Sequence, residues 1–434
     1  MAENTIVAIV GCSAVIVLML MRVPIAVSLS TVAVLGFAYI VDPVPAFGLL
    51  VHSPIRTLTD FNFSVIPMFI LMGALVSASG LSRELFRAAT AWVGHLPGGV
   101  AMGTVIACGG FAAINGSSVA AAATMTNVAL LEMRRIGYNP GFAAGVIAAG
   151  GTIGIMIPPS VMFILYGILT EQNVAELFIA GVLPGIMAVG LYCITIQLVH
   201  QARRDWMPPS QRADWKERAD SIKGVWATLV LFIMVIGGIY GGFVTIVEAA
   251  GLGVVGALVI GVARQRLSWD DFVTCLVDSL RTSAAIFFIL IAAFLFQYFL
   301  AVTQTSQMLA DFLSTLPLSP TGVMLVIIGF YILAGMFVDG LSVILLTIPI
   351  IFPVVVGLGF DPIWFGVIIV TTVEIGLISP PIGIICFIIN NMAPDIGLAR
   401  IFKGVMPFIG SDIVRLALLM IFPQIALFLV ETMR

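Results

Sequence analysis

The chain has 434 residues, 61% of them hydrophobic and only 9% charged, with a formal net charge of −3. So few charges cannot cover the surface of a soluble domain, which leaves an all-α polytopic membrane protein. There is no basic tract for nucleic acid. The single cysteines at 12, 108, 193, 275 and 386 lack metal-ligand spacing and read as small core residues.

Glu3 is the only charge before Arg22, so the start lacks the basic flank of a cleavable signal and its helix is expected to stay. Residues 6–21 and 24–40 read as spans, 46–61 as an interfacial segment and 63–79 as a further span. Stretch 81–96 sets Arg83, Glu84, Arg87 and His95 among Leu85, Phe86, Ala89 and Trp92, the pattern of an amphipathic helix. Residues 98–134 form two apolar arms around Asn115-Gly116-Ser117-Ser118, each arm at or below the roughly 20 residues that cross a bilayer. A re-entrant hairpin with its tip inside the membrane is expected. Stretch 139–170 is apolar but interrupted by Gly154 and Pro158-Pro159, a broken helix. A span at 180–198, a charged loop at 203–223 and two linking spans at 225–239 and 244–262 complete the first half.

The second half repeats this order. Residues 269–280 read as amphipathic, 282–302 as a span and 306–316 as amphipathic again. A second hairpin, 320–357, carries Asp339-Gly340-Leu341-Ser342 at its tip, and 361–391 is broken at Gly376 and Pro380-Pro381. A final span runs towards Glu431. Gly154 and Gly376, both proline pairs, and Pro140 and Pro362 all stand 222 positions apart, whereas matching the two tips by residue type gives 224. The organisation is then 1–45 as N-terminal scaffold helices, 46–200 as a first repeat, 201–268 as a cytoplasmic loop with linking helices, and 269–434 as a second repeat.

If the side of Arg83 and Arg87 is the inside, all of the 19 basic residues except Arg56, Arg415 and Arg434 fall there, as the positive-inside rule requires. Five net crossings separate the copies, so the second is inverted. Inverted repeats with discontinuous helices define secondary transporters whose sites lie at the breaks. One half of a broken helix ends in carbonyl oxygens suited to a hard cation, and the other begins with N–H groups suited to an anion. Two cation sites are expected. The first is formed by Asn115, Ser117, Ser118, Gly154, Ile157 and Pro159; the second by Gly340, Ser342, Gly376, Ser379 and Ile382. Neutral oxygens favour Na⁺ as the coupling ion. Ser117, Ser160, Asp339 and Glu374 are candidates for substrate contact. Asp339 also reads as a helix cap, Glu374 as a cation ligand, proton acceptor or ion-pair partner, and Asp412 with Arg415 as an i,i+3 pair.

Several stretches together resemble the large membrane subunit of TRAP transporters, the DctM family. They are Ile66-Pro67-Met68-Phe69-Ile70-Leu71-Met72-Gly73, Val93-Gly94-His95-Leu96-Pro97-Gly98-Gly99, Phe111-Ala112-Ala113-Ile114-Asn115-Gly116-Ser117-Ser118, Ile157-Pro158-Pro159-Ser160, Leu177-Phe178-Ile179-Ala180-Gly181-Val182-Leu183-Pro184-Gly185 and Gly335-Met336-Phe337-Val338-Asp339. The resemblance covers essentially the whole chain. It implies an elevator-type, Na⁺-coupled importer of organic acids such as C4-dicarboxylates, sugar acids or sulfonates, multi-pass in a bacterial inner membrane. It also implies a small four-helix membrane subunit and a periplasmic substrate-binding protein as partners, and sodium held largely by backbone carbonyls at tips and breaks. Asn115 departs from the Ser that the family commonly carries. The alternative is a stand-alone Na⁺- or H⁺-coupled carboxylate carrier of the same superfold. An intramembrane protease lacks a placed base, a primary pump lacks a Gly-x-x-x-x-Gly-Lys-[Ser/Thr] loop, and a channel does not need two coupled breaks.

Overall fold

The computed structural model describes residues 2–208, 214–315 and 317–433. Residues 209–213 of the charged stretch, Leu316 and Arg434 lie outside the described residues. Among the described residues every regular element is helical, and eight helices are long and apolar enough to cross a membrane.

Helices Ala2–Leu20 and Ile25–Ile40 pack with Trp269–Thr303 into a core cluster of their own. Phe299 fills the seam between them because two glycines leave room. A Cβ on Gly11 or Gly36 would lie 2.5 or 2.4 Å from its ring. Trp269–Thr303 is one helix of 35 residues, not an amphipathic segment followed by a span. Nothing at Leu280-Arg281-Thr282 breaks it, and its buried stripe runs through Cys275, Ser279, Ser283, Ile286, Leu290 and Ala293 at helical spacings of three or four. At 1.5 Å per residue it is roughly 50 Å long, well beyond the ~30 Å hydrocarbon layer.

Two further boundaries differ from the sequence reading. The stretch 203–223 is not wholly a loop: Asp214 caps a helix, Trp215–Phe232, whose first turns carry the charges. Arg218 there is buried, its guanidinium 3.3 Å from His95 Nδ1. The last span, Leu398–Ile421, stops at Phe422-Pro423, and Gln424–Met433 follows as a separate helix, because proline cannot continue the hydrogen-bond ladder.

The repeat is clearest at the helix ends. The first hairpin has arms Gly99–Asn115 and Ser118–Met125, the second arm continuing through a π turn to Leu131–Arg135; the second hairpin has arms Pro320–Phe337 and Gly340–Gly357. The first arms end at Asn115 and Phe337, and the second arms are capped by Ser117 and Asp339, in both cases 222 apart. The offset of 224 between tips is therefore corrected. Shared Gly and Ser letters give 224, whereas the caps fix the backbone register at 222. The broken helices are Pro140–Thr152 with Val161–Thr170, and Pro362–Ile378 with Ile384–Met392. Their halves are exchanged: Val161–Thr170 packs on the second hairpin and Ile384–Met392 on the first. Both proline pairs contain a cis peptide bond.

Candidate functional site

The two tips meet in a cavity of about 550 Å³. Asn115, Gly116, Ser117 and Ser118 line it from the first hairpin, Asp339 and Gly340 from the second. Val161, Met162 and Ile384 come from the second halves of the broken helices, and Thr274, Asp278, Ser279 and Thr282 from Trp269–Thr303. Four helix N-termini thus converge, at Ser118, Val161, Gly340 and Ile384. Each presents unpaired N–H groups and about half a positive charge. No Lys, Arg or His lines the cavity among the described residues. Partial charge on the backbone is its positive component.

The first tip is seated directly on the first break. Gly116 is left-handed (φ +63°), and a Cβ there would lie 2.5 Å from the carbonyl oxygen of Pro159. A Cβ on Gly154 would lie 3.1 Å from the carbonyl oxygen of Ser117. The Ser118 hydroxyl donates to the Thr152 carbonyl at 3.4 Å, and Ser117 caps its helix by accepting from Ala120 N. Carbonyl oxygens of Thr152, Ser117 and Pro159 therefore gather beside the hydroxyls of Ser117 and Ser118, a set that fits a small hard cation. Asn115 is packed against Gly73, with its Nδ2 buried and unpartnered. Ile157 directs its side chain at Gly185 and Gly109 and does not line the cavity.

The second set is gathered less closely. Gly376 packs on Gly335, four residues before Asp339, and Gly340 meets helix Pro362–Ile378 at Val373. The Ser379 hydroxyl donates to the Ile375 carbonyl at 2.6 Å, and the Ser342 hydroxyl donates to Asp339 within its own tip. Ile382 is half-buried, and Pro380 and Pro381 are exposed, whereas Pro158 and Pro159 are buried.

Two of the substrate candidates do not line the cavity. Ser160 is buried as the cap of Val161–Thr170, its hydroxyl 2.5 Å from the Ile155 carbonyl, and it does not line the cavity. Glu374 is fully buried elsewhere. It accepts from Arg415 at 2.6 Å, and Arg415 also meets Asp412 at 3.1 Å. Asp412 in turn accepts from Tyr192 Oη, which lies 3.4 Å from the Thr152 hydroxyl. A carboxylate held in an apolar core needs a counter-charge more than a ligand. Asp339 both caps its helix, accepting from Ser342 N at 3.1 Å, and faces the cavity.

Sequence reasoning missed Thr274, Asp278, Ser279 and Thr282. Their signal was available: Thr274, Asp278 and Thr282 recur every fourth residue, a polar stripe on a helix that leads into a span. Ser279 is the most informative, because its hydroxyl is buried beside the cavity with no protein partner.

A helical membrane protein built from two copies of a hairpin and a broken helix, with both tips meeting in one cavity, belongs to the secondary-transporter class. The comparisons agree. The family model of the tripartite ATP-independent periplasmic transporter, DctM component, matches residues 12–425, and the chain belongs to that family. It is 34% identical to the C4-dicarboxylate TRAP transporter large permease protein DctM of Pseudomonas aeruginosa, over 86% of this chain and 87% of that one. The ectoine/5-hydroxyectoine TRAP transporter large permease protein UehC of Ruegeria pomeroyi is 32% identical over 95% of this chain and 96% of its own. The YdaH transporter of Alcanivorax borkumensis shares the fold, with a TM-score of 0.65 at 14% identity over 87% and 89% of the two chains. The protein is a multi-pass transporter of the bacterial inner membrane and not an enzyme.

Proposed function

We propose that the chain is the permease of a tripartite importer that carries an organic acid anion, of the C4-dicarboxylate, sugar-acid or sulfonate kind, by Na⁺ symport. The observation that carries this reading is the convergence of four helix N-termini on the cavity, with the carbonyls at the first tip and break beside it. The dipoles favour an anion, and bound Na⁺ offsets Asp278 and Asp339. A small four-helix membrane subunit and a periplasmic substrate-binding protein are the partners. The binding protein delivers the substrate and the small subunit extends the scaffold.

The cavity lies along the first half of Trp269–Thr303, the end next to Arg264 and Arg266, which supports an inward-facing state under the positive-inside rule. A second crevice, of about 930 Å³, lies along the other end at Phe294, Gln297 and Tyr298. An elevator movement takes the tips from the first level towards the second.

The test is uptake into proteoliposomes that hold this chain and its small subunit, under an inward Na⁺ gradient, with and without the binding protein. Uptake that needs both Na⁺ and the binding protein is the expected result. Robust uptake by this chain alone moves it to the stand-alone carriers. Transport driven by a pH gradient without Na⁺ overturns the ion assignment.

A further inference from the structure

Outside the central cavity, a small pocket of about 220 Å³ lies where Leu398–Ile421 crosses the start of Pro140–Thr152. It is lined by Arg203, Arg400 and Lys403, with Asn139, Phe142 and Trp206, and no carboxylate lines it among the described residues. Arg203, Arg400 and Lys403 are exposed, and none forms an ion pair with a described carboxylate.

The pocket is also preorganised. Asn139 N donates to the Trp206 carbonyl at 2.9 Å, Trp206 packs on Phe142, and the Arg203 guanidinium stacks 5.5 Å above the Trp206 ring. The helix that supplies Arg400 and Lys403 follows Gly397, and Arg400 is its third residue. It has no side-chain cap and no acidic residue in its first turn. Cations near a helix N-terminus oppose the dipole, an arrangement that costs stability unless an anion is present. The crossing is held tightly: a Cβ on Gly404 would lie 2.0 Å from the Gly141 carbonyl oxygen. The two helix backbones therefore meet in close contact at the crossing.

We propose that this pocket binds a phosphate-bearing anion, supplied by the headgroup of an anionic phospholipid in the cytoplasmic leaflet. Three cations on the basic-loop side supply the charge. A basic pocket between membrane helices on the cytoplasmic face is suited to such a headgroup.

The experiment is thermal unfolding of the purified full chain in detergent, with phosphatidylglycerol, phosphatidylcholine or inorganic phosphate added at matched ionic strength. The test variant is Arg400→Gln with Lys403→Gln. The charge-matched control is Arg83→Gln with Arg87→Gln, exposed on another helix. The expected result is a rise in midpoint with phosphatidylglycerol for wild type and control, and a loss of affinity on the order of fivefold per charge removed in the test variant. The same pattern with inorganic phosphate makes the source a soluble phosphate and keeps the site. If the test variant does not fold, Arg203→Gln, which lies between helices, takes its place. Stabilisation that is absent from wild type, persists in the variants, or is lost equally in the control overturns the proposal.

Discussion

Gly116 shows how little freedom the first tip allows. It combines a left-handed backbone with the Pro159 carbonyl where a side chain would begin. Gly116→Ala is expected to destabilise the protein by about 1–2 kcal/mol from the backbone alone, with further loss as the tip is pushed off the break. Denaturation of the purified chain measures the first part, and a raised Na⁺ requirement for uptake reports the second. Arg415 is the opposite case, a charge placed for its neighbours. Arg415→Ala strands Glu374 and Asp412 without a counter-charge and is expected to cost about 3–5 kcal/mol. Replacing all three by apolar residues of similar volume (Glu374→Leu, Asp412→Leu, Arg415→Met) is expected to be far milder, near neutral. If the triple replacement proves as damaging as Arg415→Ala, the cluster does more than satisfy its own charges.

At the scale of elements, polar contacts fasten segments that the sequence keeps far apart. The chain of contacts Thr152, Tyr192, Asp412, Arg415 and Glu374 ties the two broken helices together, joining equivalent positions 152 and 374 through two other helices. On the surface, Arg134 at the end of the first hairpin pairs with Asp395 in the turn before Leu398–Ile421. The hydrogen bond from Arg134 holds the Asp395 carboxyl below its ordinary value. A lowered folded pKa gives stability that is present above the unfolded value of about 3.9 and is lost as pH falls through the folded one. The stability difference between wild type and Asp395→Asn is therefore expected at neutral pH and should vanish in acid. Because both partners are well exposed, the difference is small and shrinks with salt. A difference that grows on acidification contradicts this account.

For the whole molecule, the placement of the cavity along one end of Trp269–Thr303 makes a directional statement. In a variant lacking the native cysteines, Thr282→Cys, exposed in the cavity, is expected to react with a membrane-impermeant thiol reagent from the cytoplasmic side, and Gln297→Cys from the opposite side. Labelling of both from one side would reverse the assigned orientation. Na⁺ is expected to slow the reaction at Thr282→Cys more than at Gln297→Cys, since only the first lines the cavity where the tips meet.

Much of this was legible in the chain. In a sequence that is 61% hydrophobic, each glycine, proline or hydroxyl cluster stands out, so the hairpin tips, the breaks and their repetition could be read before any packing was known. The reasons are local: proline has no N–H to donate, and an apolar arm too short to span must turn back. Tertiary structure decided what depends on partners. It gave Glu374 to Arg415, spent the Ser160 hydroxyl on a cap, and brought the polar stripe of Trp269–Thr303 to the cavity. It also reset the tips to an offset of 222, because capping geometry follows the backbone and not the letters. A sequence states where a helix must break; only the packed helices determine which charges and hydroxyls remain free there, since a buried polar group takes whichever partner the fold brings to it.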